Sequence, residues 1–194
     1  MDDQKIHNAF PKKLRTDVQA VISVLPLAKK VLLNDGQTVE MSVLVHHETQ
    51  EVVLDGERLL IPTRIYFNEP YSLEENTLND LQKVILNCIY LRHHDGHVRQ
   101  KRLKTLISKN HYFTVPYTFQ LLGEYVVEII DDLDSFIDEI NIHLFKRFIS
   151  ENPGYSALIR NRMISYWNEY YRIGEKRDIR NYVGRRIFER LENI

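Results

Sequence analysis

The residues best suited to chemistry form a short cluster near the middle of the chain: His93, His94, Asp95 and His97. Imidazole nitrogens and a carboxylate can together hold a divalent metal that lowers the pKa of a bound water. These four residues are therefore the candidate metal ligands. A structural interpretation is also open, because imidazoles near the C-terminus of a helix interact favourably with its negative pole.

The adjacent pair His94-Asp95 resembles the histidine–aspartate core of the HD-type metal phosphohydrolases. The resemblance implies a helical enzyme that binds divalent metal through an upstream His, the pair itself and a downstream Asp. The nearest upstream histidines, His46 and His47, lie in a strand-like part of the chain, and the acids at 131–134 are the downstream candidates. Apart from this metal, the sequence implies no cofactor, because it contains no phosphate-binding loop or dinucleotide fingerprint.

Two helical patterns flank the break at Asp95-Gly96. A capping-box pattern from Ser72 to Glu75 predicts a helix that continues to about residue 92, and a second helix is predicted from His97 to Ser108. The second helix is strongly basic, and its cations are predicted to point outwards as one half of a candidate interaction surface. These cations are Arg99, Lys101, Arg102 and Lys104.

The helix pair from Leu78 to Ile107 resembles one unit of the HEAT-type helical repeats, and residues 116–133 are the candidate first helix of a next unit. The residues that carry the resemblance are Asp95, Val98, Arg99, Leu103 and Leu106. In that family, an Asp near the turn and an Arg early in the second helix help neighbouring units to stack. The resemblance implies a scaffold that binds another macromolecule on a helical surface. A generic helix pair in a bundle remains the alternative.

The last part of the chain combines arginines, which can bind phosphates, with aromatic residues, on which nucleic-acid bases can stack. It describes amphipathic helices equally well, and the local excess of positive charge is small. The second half of the candidate interaction surface comes from Arg177, Arg180, Arg185 and Arg186.

The N-terminal third predicts a different structure. A helix is expected over 16–25, followed by strand-like runs at 39–45, 51–54 and 59–67, which we interpret as a small antiparallel β-meander. Helical patterns then dominate, including a long helix from Val115 to about Phe148 with a bend near 131–134. The predicted fold is α+β and predominantly α: a β-rich subdomain over 1–69, with one leading helix, followed by a helical domain over 70–194 of about five helices.

Taken together, these patterns favour a non-catalytic protein-interaction or scaffold module over a metal-dependent hydrolase or a nucleic-acid-binding protein. The expected partner is another protein, and a homodimer is a further option. The polar N-terminus and the lack of a long apolar run predict a cytoplasmic protein with no membrane contact. The single cysteine, Cys88, predicts a core residue rather than a nucleophile.

Overall fold

The computed structural model describes residues 2–27, 29–32, 38–41, 44–106, 109–173 and 177–192. Helices dominate, and short antiparallel sheets provide the remaining regular structure, so the α+β class with a helical majority is confirmed. Helices α1 to α10 span Asp2–Asn8, Arg15–Ile22, Ser72–Glu75, Asp80–Tyr90, Gly96–Thr105, Val115–Phe119, Val127–Phe136, Ile142–Glu151, Pro153–Tyr170 and Val183–Glu192.

The described strands form two separate hairpins rather than the predicted three-stranded meander. Strands β1 to β4 span Lys29–Leu32, Thr38–Met41, Thr49–Leu54 and Glu57–Pro62; β1 pairs with β2, and β3 with β4. The β3–β4 turn has positive φ at Asp55 and Gly56, as expected for an Asp-Gly hairpin. Strand β4 ends at Pro62, which has no N–H, and the Thr63 amide beyond it still donates to the Glu48 carbonyl at 3.0 Å. Val43, in the first predicted strand, lies outside the described residues.

Two predicted helices are divided in the structure. The helix predicted from Ser72 stops at Glu75, and α4 begins after Asn79, whose side chain accepts a hydrogen bond from the Gln82 amide. Polar caps of this kind start a new helix because they satisfy its free amides. Ser108, the predicted end of the following helix, lies outside the described residues.

The long helix predicted from Val115 is divided into α6, a 3-10 turn at Gln120–Gly123, α7 and α8. The break between α7 and α8 lies after Phe136 and not at 131–134. Asp138 organises the turn between them, because its carboxylate accepts the amides of Ile140 and Asn141 before α8 begins at Ile142.

Buried apolar side chains from both sides of Pro70 belong to one core cluster, which extends from Ile6 in α1 to Leu191 in α10. Cys88 lies within it, and burial raises the pKa of its thiol, which suits a packing residue. The domain boundary at 69/70 stays a prediction. Within the described part of the chain, no helix combines the length and the apolar character needed to cross a bilayer.

Candidate functional site

Three chain segments that are distant in sequence meet side by side at residues 44–46, 64–66 and 92–94. The His46 amide donates to the Arg64 carbonyl at 2.9 Å, and the His94 amide donates to the Ile65 carbonyl at 3.1 Å. Ile65 therefore bridges the N-terminal part of the chain to the loop between α4 and α5. This junction brings the histidines at 46–47 close to the predicted metal cluster.

Four aromatic side chains, His46, His47, Tyr66 and His94, line the solvent side of this junction, and we call them the ring surface. The rings of His46 and His47 lie 4.5 Å apart, and Tyr66 is stacked on His94 at 5.5 Å. His46 also contacts Tyr66 at 6.3 Å. Tyr66 is 39% exposed, so part of its ring is accessible to a binding partner.

A buried ion network lies beneath the ring surface. The carboxylate of Glu124 pairs with Arg99 at 3.3 Å and with Arg64 at 3.0 Å. The Arg99 and Glu124 side chains are only 1% and 4% exposed, so both charges are withdrawn from water and depend on each other. Burial lowers the pKa of Arg99, and the charge of Glu124 opposes that shift.

Arg99 also fixes the backbone from which the ring surface projects. Its Nη1 donates to the carbonyls of His93 at 2.6 Å and His94 at 2.9 Å. A planar guanidinium holds several acceptors in one geometry, so the loop before α5 is braced from inside. The position of His94, and through it the stacking on Tyr66, therefore depends on the buried network.

Arg92 is a second fully buried cation at this junction, and it contacts carbonyls rather than a carboxylate. Its Nε donates to Pro62 O at 2.9 Å, and its Nη2 donates to Thr63 O. Burial lowers the pKa of Arg92 to about 10. Arg92 thus satisfies carbonyls where β4 ends, as Arg99 satisfies carbonyls of the loop before α5.

The four predicted metal ligands do not converge. Asp95 caps α5, because its carboxylate accepts the His97 amide at 2.8 Å, and this hydrogen bond lowers its pKa. His93 is buried, and its Nδ1 accepts the Asp95 amide at 3.1 Å. His94 faces Tyr66. Among the described residues, no group of three or more His, Cys, Asp or Glu side chains is arranged to hold a metal ion.

A cavity of about 550 Å³ opens beside the ring surface, with His94 on its wall. Its lining residues are His94, Asp95, Gly96, His97, Gln100, Tyr125, Val126 and Glu128. Tyr125 is 49% exposed and lies 6.0 Å from Tyr166 and 6.1 Å from Tyr170. The cavity therefore borders both the ring surface, through His94, and this tyrosine cluster, through Tyr125.

The outward orientation predicted for the cations of α5 is wrong at two positions. Arg99 is buried against Glu124, and Arg102 is buried against Glu69 and Glu75, with its guanidinium over the Tyr90 ring. Arg99 is drawn inside by the carbonyls of the loop before α5 and by Glu124, and Arg102 by the carboxylates of Glu69 and Glu75. The remaining two are exposed but paired: Lys101 lies 3.0 Å from Glu69, and Lys104 lies 3.4 Å from Asp132.

The C-terminal arginines are largely neutralised within the fold. Arg180 pairs with Asp178, Arg185 with Glu189, and Arg186 lies 3.8 Å from Asp134. Arg177 is exposed. The predicted set therefore does not form one continuous cationic face with the α5 residues.

Three residues of the site were not singled out from the sequence: Arg64, Tyr66 and Glu124. Glu124 comes two residues after a continuously buried stretch at 115–122. A lone acid at such a position signals a buried partner, since an unpaired buried carboxylate is costly. Comparison with protein-family models, with curated proteins and with solved structures found no match to this chain.

Proposed function

We propose that this chain is a cytoplasmic, non-catalytic protein-interaction module. It binds its partner through the ring surface and the adjacent HEAT-like pair α4–α5. One observation carries the proposal: the ring surface is exposed, yet its backbone is held by the buried Arg99–Glu124 pair. A surface that is already ordered loses little conformational entropy on binding. Exposed tyrosines are also enriched among the residues that dominate protein interfaces.

The ion network supports the scaffold interpretation of the helix pair. Arg99 lies early in α5 and pairs with Glu124, which belongs to the segment leading into α7. The resemblance to HEAT-type repeats implies this kind of link between a helix pair and the unit that follows it. We therefore propose that α4–α5 and α7 act as one helical surface.

The enzyme alternative predicts a different outcome in a simple measurement. A metal phosphohydrolase would purify with one or two equivalents of divalent metal, which a change of His94→Ala with Asp95→Ala would remove. Because Asp95 is engaged as a helix cap, we expect metal well below one equivalent per chain and a modest loss of stability of about 1 kcal/mol in the variant. Stoichiometric metal that the variant loses would favour the enzyme.

Nucleic-acid binding is less well supported. The C-terminal arginines are mostly ion-paired, and two carboxylates, Asp95 and Glu128, which form no ion pair with another described residue, line the cavity beside the ring surface. Such acids would repel the phosphate backbone that dominates nucleic-acid affinity.

Site-specific photo-crosslinking in the native host tests the proposal. Benzoyl-phenylalanine replaces Tyr66 in one variant and Ile173, which is 98% exposed, in a control variant. We expect a discrete protein adduct at position 66 that is absent at 173. An adduct to a second copy of the chain would identify a homodimer as the partner complex. Equal labelling at both positions, or none, would contradict the proposal.

A further inference from the structure

We propose that the cavity beside the ring surface receives a cationic side chain, arginine or lysine, of the partner protein. This inference rests on the proposed function and adds the chemistry of the partner. The cavity volume of about 550 Å³ is in the range of small-ligand sites and can hold a long side chain with part of its backbone.

The charges on the cavity wall favour a cation. The carboxylates of Asp95 and Glu128 line it beside the imidazoles of His94 and His97, and among the described residues of this wall there is no lysine or arginine. The hydrogen bond from the His97 amide lowers the pKa of Asp95, so this carboxylate is ionised at neutral pH. The nearest buried cation, Arg99, is already paired with Glu124 and two backbone carbonyls.

The same wall carries the aromatic surface that an arginine prefers. Tyr125 lines the cavity with half of its side chain exposed, and the rings of Tyr166 and Tyr170 continue the surface. A guanidinium can stack on a tyrosine face while it donates to a carboxylate. The Tyr125 backbone is fixed, because the Tyr171 hydroxyl donates to its carbonyl at 2.8 Å.

An anionic occupant is disfavoured although the cavity lies at the first turn of α5. Helix N-termini bind anions through free amides. Here the His97 amide is bound to the Asp95 carboxylate at 2.8 Å, so the protein supplies its own anion. A phosphate or a partner carboxylate would have to displace Asp95 and approach Glu128.

The test uses capped tripeptides that differ only at the central residue. Gly-Arg-Gly is compared with Gly-citrulline-Gly, a neutral analogue of the same shape, and with Gly-Glu-Gly, in amide nuclear magnetic resonance titrations of the full chain. The peptides are taken to about ten times the ~1 mM dissociation constant expected for one charge-assisted contact. We expect Gly-Arg-Gly alone to shift the amides of Gly96, Gln100 and Glu128.

Two variants remove charge while keeping shape. Asp95→Asn retains the capping acceptor, since Asn and Asp cap helices equally well. Combined with Glu128→Gln, it should weaken Gly-Arg-Gly binding about threefold to tenfold, because two exposed carboxylates each contribute modestly. Glu139→Gln, an exposed acid beyond the far end of α7, changes the net charge by one and should have no effect.

The outcomes separate this inference from the proposed function. Equal shifts with the citrulline peptide, binding of Gly-Glu-Gly instead, or no shift with any peptide would overturn the cation site. The crosslinked adduct at Tyr66 would still support a protein-interaction module in those cases. If the tripeptide result is as expected but no adduct forms at Tyr66, the cavity binds cations and the proposed function fails.

Discussion

Removing the charge of Glu124 is the sharpest perturbation of the buried network. In Glu124→Gln, the Arg99 guanidinium stays buried and loses its only carboxylate, while Arg64 can turn towards solvent. Breaking a buried ion pair at one partner typically costs about 3–5 kcal/mol. Because Arg99 keeps two carbonyl acceptors, we expect a value at the lower end, about 3 kcal/mol.

The assay is urea unfolding followed by far-ultraviolet circular dichroism. In thermal unfolding of a chain of this length, the same loss of about 3 kcal/mol corresponds to a fall in Tm of about 6–12 °C. Glu51→Gln is the matched control: it makes the same chemical change in the surface pair with Arg58 and should cost less than about 1 kcal/mol. Equal losses in the two variants would refute the claim that Glu124 holds the site together.

Three further predictions test other parts of the structure. Burial lowers the pKa of His93, and the neighbouring His94 lowers it by a smaller amount. Below about pH 6.5, the unfolded chain therefore binds a proton at this residue more readily than the folded chain does. The unfolding free energy should therefore fall with decreasing pH by less than about 1.4 kcal/mol per pH unit. Urea titrations at several pH values measure this slope, and the contribution of His93 should be absent in a His93→Gln variant. Gly184→Ala places a Cβ 2.9 Å from Met163 and should lower the unfolding free energy by about 1–3 kcal/mol. The control is Gly154→Ala near the start of α9, where an added Cβ has no neighbour within 4 Å. In thermal unfolding it should be neutral or stabilising by up to about 1 kcal/mol. Asn152→Ala removes the side-chain amide that bonds both backbone groups of one β3 residue and should lower the unfolding free energy by about 2–3 kcal/mol, with faster amide exchange in the β3–β4 hairpin.

Periodicity predicted the class of the fold but not the ends of its elements. The apolar spacing from Asp80 to Tyr90 is helical, and α4 forms there. The Asn79 side chain caps α4 and the Asp138 side chain holds the turn before α8, and a pattern of apolar residues does not register such polar contacts. The prediction of one long helix from Val115 missed the break at Asp138 for this reason.

The candidate site was predicted only in part. The sequence drew attention to His94 and Asp95, and both lie at the site, but their roles follow from the tertiary structure. The contact of Tyr66 with His94 and the burial of Arg99 depend on pairing between distant segments. The local sequence pattern around Arg99 is compatible with either an exposed or a buried side chain. The tertiary position of Glu124 decides that Arg99 is buried.

The most direct measurement is the affinity of two alanine variants for the partner protein. The partner is first identified by crosslinking at position 66 and then purified. Tyr66→Ala removes the central ring of the ring surface, and Ile173→Ala removes a more exposed apolar side chain elsewhere. If the ring surface is the binding site, Tyr66→Ala should raise the Kd by at least about tenfold, as truncation of an interface hot spot does, and Ile173→Ala should leave it unchanged. Equal Kd values for both variants and the unaltered chain would contradict the account.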